Sequence, residues 1–335
     1  MYQKHLVFIG RKEANMQDVC NRRNIFFTSS VINTLYSLKS SNIKYSKDSS
    51  NSLAISKATI NGIEYVIGLC TKTNDYHILT PFEKMFIDIL LSWSELSKEE
   101  YNEETNIKEN NSDIDDISSY TRITFEDIDW IRNRNRTNKK QRQKDHKLYK
   151  NTFESIGNLW FIFDIKDDKI VKYNLFNYRF IYTNDNIDGI EYNFGQLQES
   201  LVASNQKISI NYNPFRYSRN NHIKYQLFRY LLVSIYMNRT KKKKFKRSHN
   251  AILKSTVWRS DKETISYFDN IVNKTHVNTY LRRYSKDVLE ILDDLKQVGF
   301  IHDYKVINDT SRRHLITAAG YVEIENVSYK RQKYR

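Results

Sequence analysis

The 335-residue chain is long enough for one large domain or two to three smaller ones, each able to bury its own core. Hydrophobic residues make up 39% and charged residues 28%, and no apolar run approaches the roughly 18 residues of a membrane span. Lys and Arg outnumber Asp and Glu by 54 to 39, for a net charge of +15, which excludes an acidic, self-solvating chain and points to a polyanionic partner. The apolar run at 6–9 is too short for a secretory signal core, so a cytoplasmic location and no membrane association are expected. Cys20 and Cys70 form no CxxC pair, which argues against a disulfide framework or structural zinc. Neither a metal nor a cofactor is expected.

Residues 1–78 read as a lead-in containing a hairpin, with strands at 53–60 and 63–69 about an Asn61-Gly62 turn. At Thr80-Pro81-Phe82-Glu83 a helix begins: Thr is placed as N-cap, Pro at the first helical position and Glu three residues after the cap. Phe82, Met85, Phe86, Ile89, Leu90 and Trp93 give that helix one apolar face. Residues 95–116 carry nine acidic side chains against two lysines, so 95–119 reads as an acidic loop or disordered insert.

Thr124-Phe125-Glu126-Asp127 opens a second helix with a capping-box pattern. The charge then inverts. Between Arg132 and Lys150 nine cations face one acid, Asp145, before Tyr149, Phe153 and Ile156 form the apolar stripe of a third helix. Gly157 is placed as its C-terminal cap. A hairpin is expected next, with strands at 159–165 and 170–182 and the turn Lys166-Asp167-Asp168-Lys169. A short helix at 194–203 and a strand at 207–212 lead out of this unit.

The order recurs. Residues 221–238 place Ile223, Leu227, Leu231 and Ile235 on one helical face, and RTKKKKFKR follows as a basic loop. A middle helix at 249–257, a long one at 275–298 stopped by Gly299, and a hairpin with strands at 300–307 and 314–324 complete it. The expectation is an α+β chain of two tandem winged-helix domains: lead-in 1–78, first domain 79–204, second domain 205–325 and basic tail 326–335.

The candidate DNA contacts follow from where the charge sits. In the first domain they are Arg132, Arg134, Arg136, Asn138, Lys139, Lys140, Gln141, Arg142, Lys144 and Lys147, with Asn138, Gln141 and Arg142 as base readers and the cations on phosphates. Lys169 occupies the wing turn. In the second domain Lys241, Lys242, Lys243, Lys244 and Arg247 are placed on phosphates, Asn278, Arg282, Arg283 and Lys286 on the front of the long helix, and Arg312 and Arg313 on the second wing.

Enzyme patterns are missing. The chain has no P-loop, no His-hydrophobic-His metal motif and no His-x-x-Arg recombinase element. The adjacent acids Asp115-Asp116, Asp167-Asp168 and Asp293-Asp294 point apart on a helix or strand, as a metal pair does not. Double-stranded DNA binding without catalysis is the expectation, with a metal-dependent nuclease as the enzymatic rival.

ILTPFEKMFIDILL at 78–91, KKQRQKDHKLYKNTFESI at 139–156 and NNHIKYQLFRYLLVSIYMNR at 220–239, in this arrangement, resemble the plasmid replication initiators of low-G+C bacteria. The resemblance implies binding to repeated sites in an origin, homodimer-to-monomer switching through the first domain and recruitment of host replication proteins. A transcriptional repressor or partition protein of a mobile element shares the same features.

Overall fold

The structure, a computed structural model, describes residues 23–38, 43–45, 52–60, 62–73, 75–105, 120–134, 138–164, 172–184, 186–195, 197, 207–219, 222–239, 244–254, 277–307 and 320–327. Two compact units result, Met1–Arg219 and Asn220–Arg335. The first unit therefore takes in both the lead-in and residues 205–219, which the sequence reading had set apart.

In the first unit, β1 (Asn24–Phe27) pairs antiparallel with β10 (Lys207–Ile210) and packs on the central helix α2 (Pro81–Thr105). Between them come α1 (Ser30–Ser37), β2 (Ile43–Tyr45), β3 (Ser52–Ile60) and β4 (Ile63–Thr71). Gly62 turns the β3–β4 hairpin at φ +81°, a left-handed conformation that a Cβ disfavours. The chain continues through β5 (Thr121–Thr124), α3 (Phe125–Ile131), α4 (Lys139–Gly157), β6 (Leu159–Asp164), β7 (Lys172–Asn174), β8 (Asn177–Thr183) and β9 (Asn186–Asn193).

The helix starts follow their caps. The Thr80 hydroxyl accepts from the Glu83 amide at 3.2 Å, and the Glu83 carboxylate accepts from the Thr80 amide at 2.7 Å. Thr124 and Asp127 form the same reciprocal box at α3. Glu83 is buried, which disfavours its charge, but hydrogen bonds with His77, Ser155 and the Thr80 amide outweigh burial and hold the carboxyl at about 2.

Helix α2 does not stop where the acidic run begins. It continues to Thr105, with Leu96 in the core and the buried Glu95 ion-paired to Lys207. The expected acidic loop is thus helical over its first part, while 106–119 lies outside the described residues.

The strand after α4 departs from the predicted wing. β6 does form a hairpin with β7, Ile162 opposite Lys172, but β6 also pairs with β4 along its other edge, giving the antiparallel sheet β2-β3-β4-β6-β7. The lead-in and the predicted wing are one sheet. The run expected as a single strand over 170–182 breaks after Asn174 and resumes as β8 in a second sheet, ordered β5-β9-β8. Gly157, expected as the C-terminal cap, is instead the last helical residue, and Asn158 takes the cap position. A Cβ on Gly157 would lie 2.0 Å from the Tyr178 ring, so packing of β8 requires glycine there.

An aromatic core joins these layers. Phe86 of α2 meets Tyr149 and Phe153 of α4 at ring-centroid distances of 5.3 and 5.4 Å, and Phe153 continues to Phe125 and Phe176.

The second unit contains α5 (His222–Arg239), β11 (Lys244–Ser248), α6 (His249–Lys254), α7 (Val277–Gln297), β12 (Ile301–Ile307) and β13 (Tyr321–Asn326). Leu227, Leu231 and Ile235 of α5 are buried with Val288, Leu292 and Leu295 of α7 and with Val322 and Ile324 of β13. Gly299 ends α7 at φ +70°, with its amide on the Lys296 carbonyl and the Phe300 amide on the Leu295 carbonyl, a Schellman closure. The sheet order is β11-β13-β12. Thus α2-β5-α3-α4-β8-β9 and α5-β11-α6-α7-β12-β13 share element order and strand order, although β6 and β7 interrupt the first.

Candidate nucleic-acid interface

Helix α4 has an inner face held by two kinds of bonding. Tyr149, Phe153 and Ile156 bury apolar surface, and around them the lone acid and several of the cations form a polar lock. The Tyr149 hydroxyl donates to Asp129 Oδ1 at 2.7 Å, His146 Nε2 lies 3.0 Å from Asp129 Oδ2, and the Arg142 guanidinium approaches the same carboxylate at 3.5 Å. Arg134 Nη1 donates to Asp145 at 2.9 Å, and Gln141 Nε2 donates to Asp145 at 3.3 Å. Burial, with the charges of Asp129 and Asp145, outweighs the opposing pull of Arg132 and raises the Tyr149 phenol above its ordinary range, so it stays a donor.

Four expected DNA contacts belong to this lock. Arg132 is 1% exposed, donates to the Tyr149 hydroxyl at 2.9 Å and lies over the Phe82 and Tyr149 rings. It faces protein, against the expectation, because α3 ends one residue earlier and turns its side chain into the aromatic core. Arg134 is committed to Asp145, Gln141 to the same carboxylate, and Arg142 to Asp129 and Glu126. Asn138 is the N-cap of α4, its Oδ1 accepting from the Gln141 amide at 2.9 Å. Arg136 lies outside the described residues.

What remains is the outer face. Lys139, Lys140, Gln143, Lys144 and Lys147 are exposed, and none of the four lysines makes an ion pair among the described residues. Helical spacing gathers them onto one stripe without an intervening acid. The stripe ends where Lys150 pairs with Glu154 at 3.7 Å. This placement costs helix stability. The first turn of α4 carries no acid, so Lys139 and Lys140 oppose the positive end of the helix dipole, at about 0.3–1 kcal/mol per charge. Lys140 and Lys144, four apart, add like-charge repulsion of about 0.2–0.5 kcal/mol. An anion laid along the stripe removes both penalties.

The β8–β9 hairpin makes up two of the three strands of the sheet that packs beside α4. At its tip Tyr182 is 64% exposed, and Thr183, Asn184 and Asn186 are exposed with it, Asn184 in a left-handed turn at φ 48°. Arg179 on this hairpin is ion-paired to Glu191. Lys169, expected at the wing turn, lies outside the described residues.

In the second unit the segment expected as a basic loop is partly strand. Lys244 on β11 pairs with Glu325 of β13 at 3.1 Å, Lys246 contacts Glu323 at 3.7 Å, and Arg247 lies over the Phe245 ring. Lys244 is thus matched by a carboxylate across the sheet. Lys241, Lys242, Lys243, Arg312 and Arg313 lie outside the described residues. Asn278, Arg282 and Arg283 fall on the first turns of α7, and Lys286, one turn on, is exposed.

Among the described residues no group of three or more His, Cys, Asp or Glu side chains is placed to hold a metal ion, and no helix is long and apolar enough to cross a membrane. Asp293, one of the adjacent acids, accepts from the Tyr304 hydroxyl at 2.6 Å.

No family model matches the sequence, and no curated protein matches it. Among solved structures, a selenomethionine crystal structure of domains 2 and 3 of RctB aligns over 85% of this chain and 94% of its own, at 10% identity and a TM-score of 0.44. A second structure of RctB domains 2–3 aligns over 82% and 91%, at 11% identity and a TM-score of 0.43. At these scores the likeness establishes neither a shared fold nor a shared activity.

Proposed function

We propose that this chain is a sequence-specific double-stranded DNA-binding protein built on two winged helices, serving as a replication initiator of a plasmid rather than as an enzyme. The observation that carries the reading is the exposed lysine stripe on α4, which has no ion pair among the described residues and is maintained against the helix dipole. A rigid helix presenting Lys139, Lys140, Lys144 and Lys147 fits a major groove, where the lysines reach phosphates on both walls. The repeated order helix-strand-helix-helix-strand-strand, with the first strand beside the last, supports winged-helix units. In this reading the β8–β9 hairpin is the first wing, and Tyr182 and Asn184 at its tip touch the neighbouring backbone. Helix α7 is the corresponding element of the second unit. Linking two DNA-binding units makes the second docking intramolecular and raises affinity without requiring either to bind tightly alone.

Selection of binding sites from random duplex DNA by the full chain tests this. The expected result is an enriched duplex motif that recurs as repeats beside the gene. A motif found only at a promoter overturns the initiator role in favour of a repressor. Absence of enrichment, or preference for single-stranded RNA, overturns DNA recognition itself.

A further inference from the structure

We infer that Gln143 is the residue through which α4 reads base identity, and that it reads adenine. This rests on the DNA-binding reading above. Of the amide side chains in the first half of the helix, Asn138 is committed to the cap and Gln141 to Asp145. Arg142, the third expected base reader, is ion-paired to Asp129 and Glu126. Gln143 is exposed and stands amid the stripe, with Lys139 and Lys147 four residues to either side and Lys140 and Lys144 adjoining. A lysine stripe that straddles a groove places whatever lies at its centre over the base edges. Lysine presents only donors, whereas a glutamine amide presents one donor and one acceptor side by side, the complement of adenine N7 and N6. Asn151 is the other exposed amide of this helix, but it lies past the stripe, within the span of the Lys150–Glu154 pair, where Glu154 repels phosphate.

The test compares the full-length wild type with Gln143→Ala and Asn151→Ala in site selection and in fluorescence anisotropy on the selected duplex. Gln143→Ala is expected to weaken binding to the wild-type site about tenfold or more and to make one A·T position degenerate on reselection. Its affinity for random duplex and its salt dependence stay at wild-type values, since no phosphate contact is lost. Asn151→Ala leaves the motif unchanged. If Gln143→Ala reselects the wild-type motif at wild-type affinity, this inference fails while DNA recognition stands; if the wild type selects no motif, both fail.

Discussion

Arg132 Nη1 donates to the Tyr149 hydroxyl at 2.9 Å, and that hydroxyl donates onward to Asp129 at 2.7 Å. The relay ties the end of α3 to the middle of α4 inside an aromatic cage, so a cation that reads in the sequence as a phosphate contact sets the pose of the helix instead. Arg132→Ala is expected to destabilise the first unit by about 2–3 kcal/mol, and Tyr149→Phe by about 1.5–3 kcal/mol, because the buried Asp129 carboxylate loses one of its donors. The double variant should cost less than the sum, since both remove one network. Urea unfolding followed by the first unit's transition checks this. Strict additivity would show the two residues acting separately.

Glycine is required most where β5 meets β9. A Cβ on Gly189 would stand 2.4 Å from the Ile123 carbonyl oxygen, a backbone atom that cannot swing aside. Gly189→Ala should therefore cost about 1–3 kcal/mol or more and loosen β5 from its sheet. Gly62→Ala meets open space and pays only for its positive φ, about 1–2 kcal/mol. The same unfolding series orders the two, and equal costs would argue against the close β5–β9 approach.

The two units should weaken in different acid ranges. Glu83 is held at about 2 against an ordinary 4.5, so its contribution is complete above pH 4.5 and is lost as pH falls toward 2. In His249, fully buried, burial pushes the imidazole from 6.5 down to about 4, so the second unit is stable above pH 6.5 and weakens as pH falls toward 4. Each change amounts to about 3 kcal/mol, from 1.36 kcal/mol per pKa unit. Hydrogen exchange of the full chain, corrected for intrinsic rates, should show 222–239 and 244–254 losing protection at higher pH than 80–96. His249→Gln should flatten the upper range and Glu83→Gln the lower. Simultaneous loss in both units would contradict the assignment.

Local chemistry was readable from sequence wherever the structure settles matters within a few residues. Thr80 with Glu83 and Thr124 with Asp127 cap as their spacing implies, Gly62 turns its hairpin, and Gly299 stops α7. Strand partnership was not readable, because β4 and β6 pair across 88 to 98 residues. The run Leu159–Asp164 did carry a signal: LWFIFD is apolar on both faces, as a strand covered on both faces is, and its adjacent Phe161 and Ile162 are both buried, whereas a wing alternates. The acidic run hid a helix because its charge drew attention from Leu96, which continues the apolar face of α2. Within the site, the stripe of Lys139, Lys140, Lys144 and Lys147 was legible as charge. Which cations turn inward was not, since Arg132, Arg134 and Arg142 find their partners on Tyr149, Asp145 and Asp129 only once α3 and α4 are packed. Gln143 was available from a helical projection of residues 139–151.

The salt dependence of duplex binding bears most directly on the central claim that the outer face of α4 meets phosphate. Measured on the full chain, substitution of Lys139, Lys140, Lys144 and Lys147 together by Ala should reduce the slope of log affinity against log salt by about 3–4, near 0.9 per lost phosphate contact. Lys244→Ala, which removes a cation already matched by Glu325, should change it by less than about 1. A four-lysine variant that keeps the wild-type slope and affinity would contradict the account.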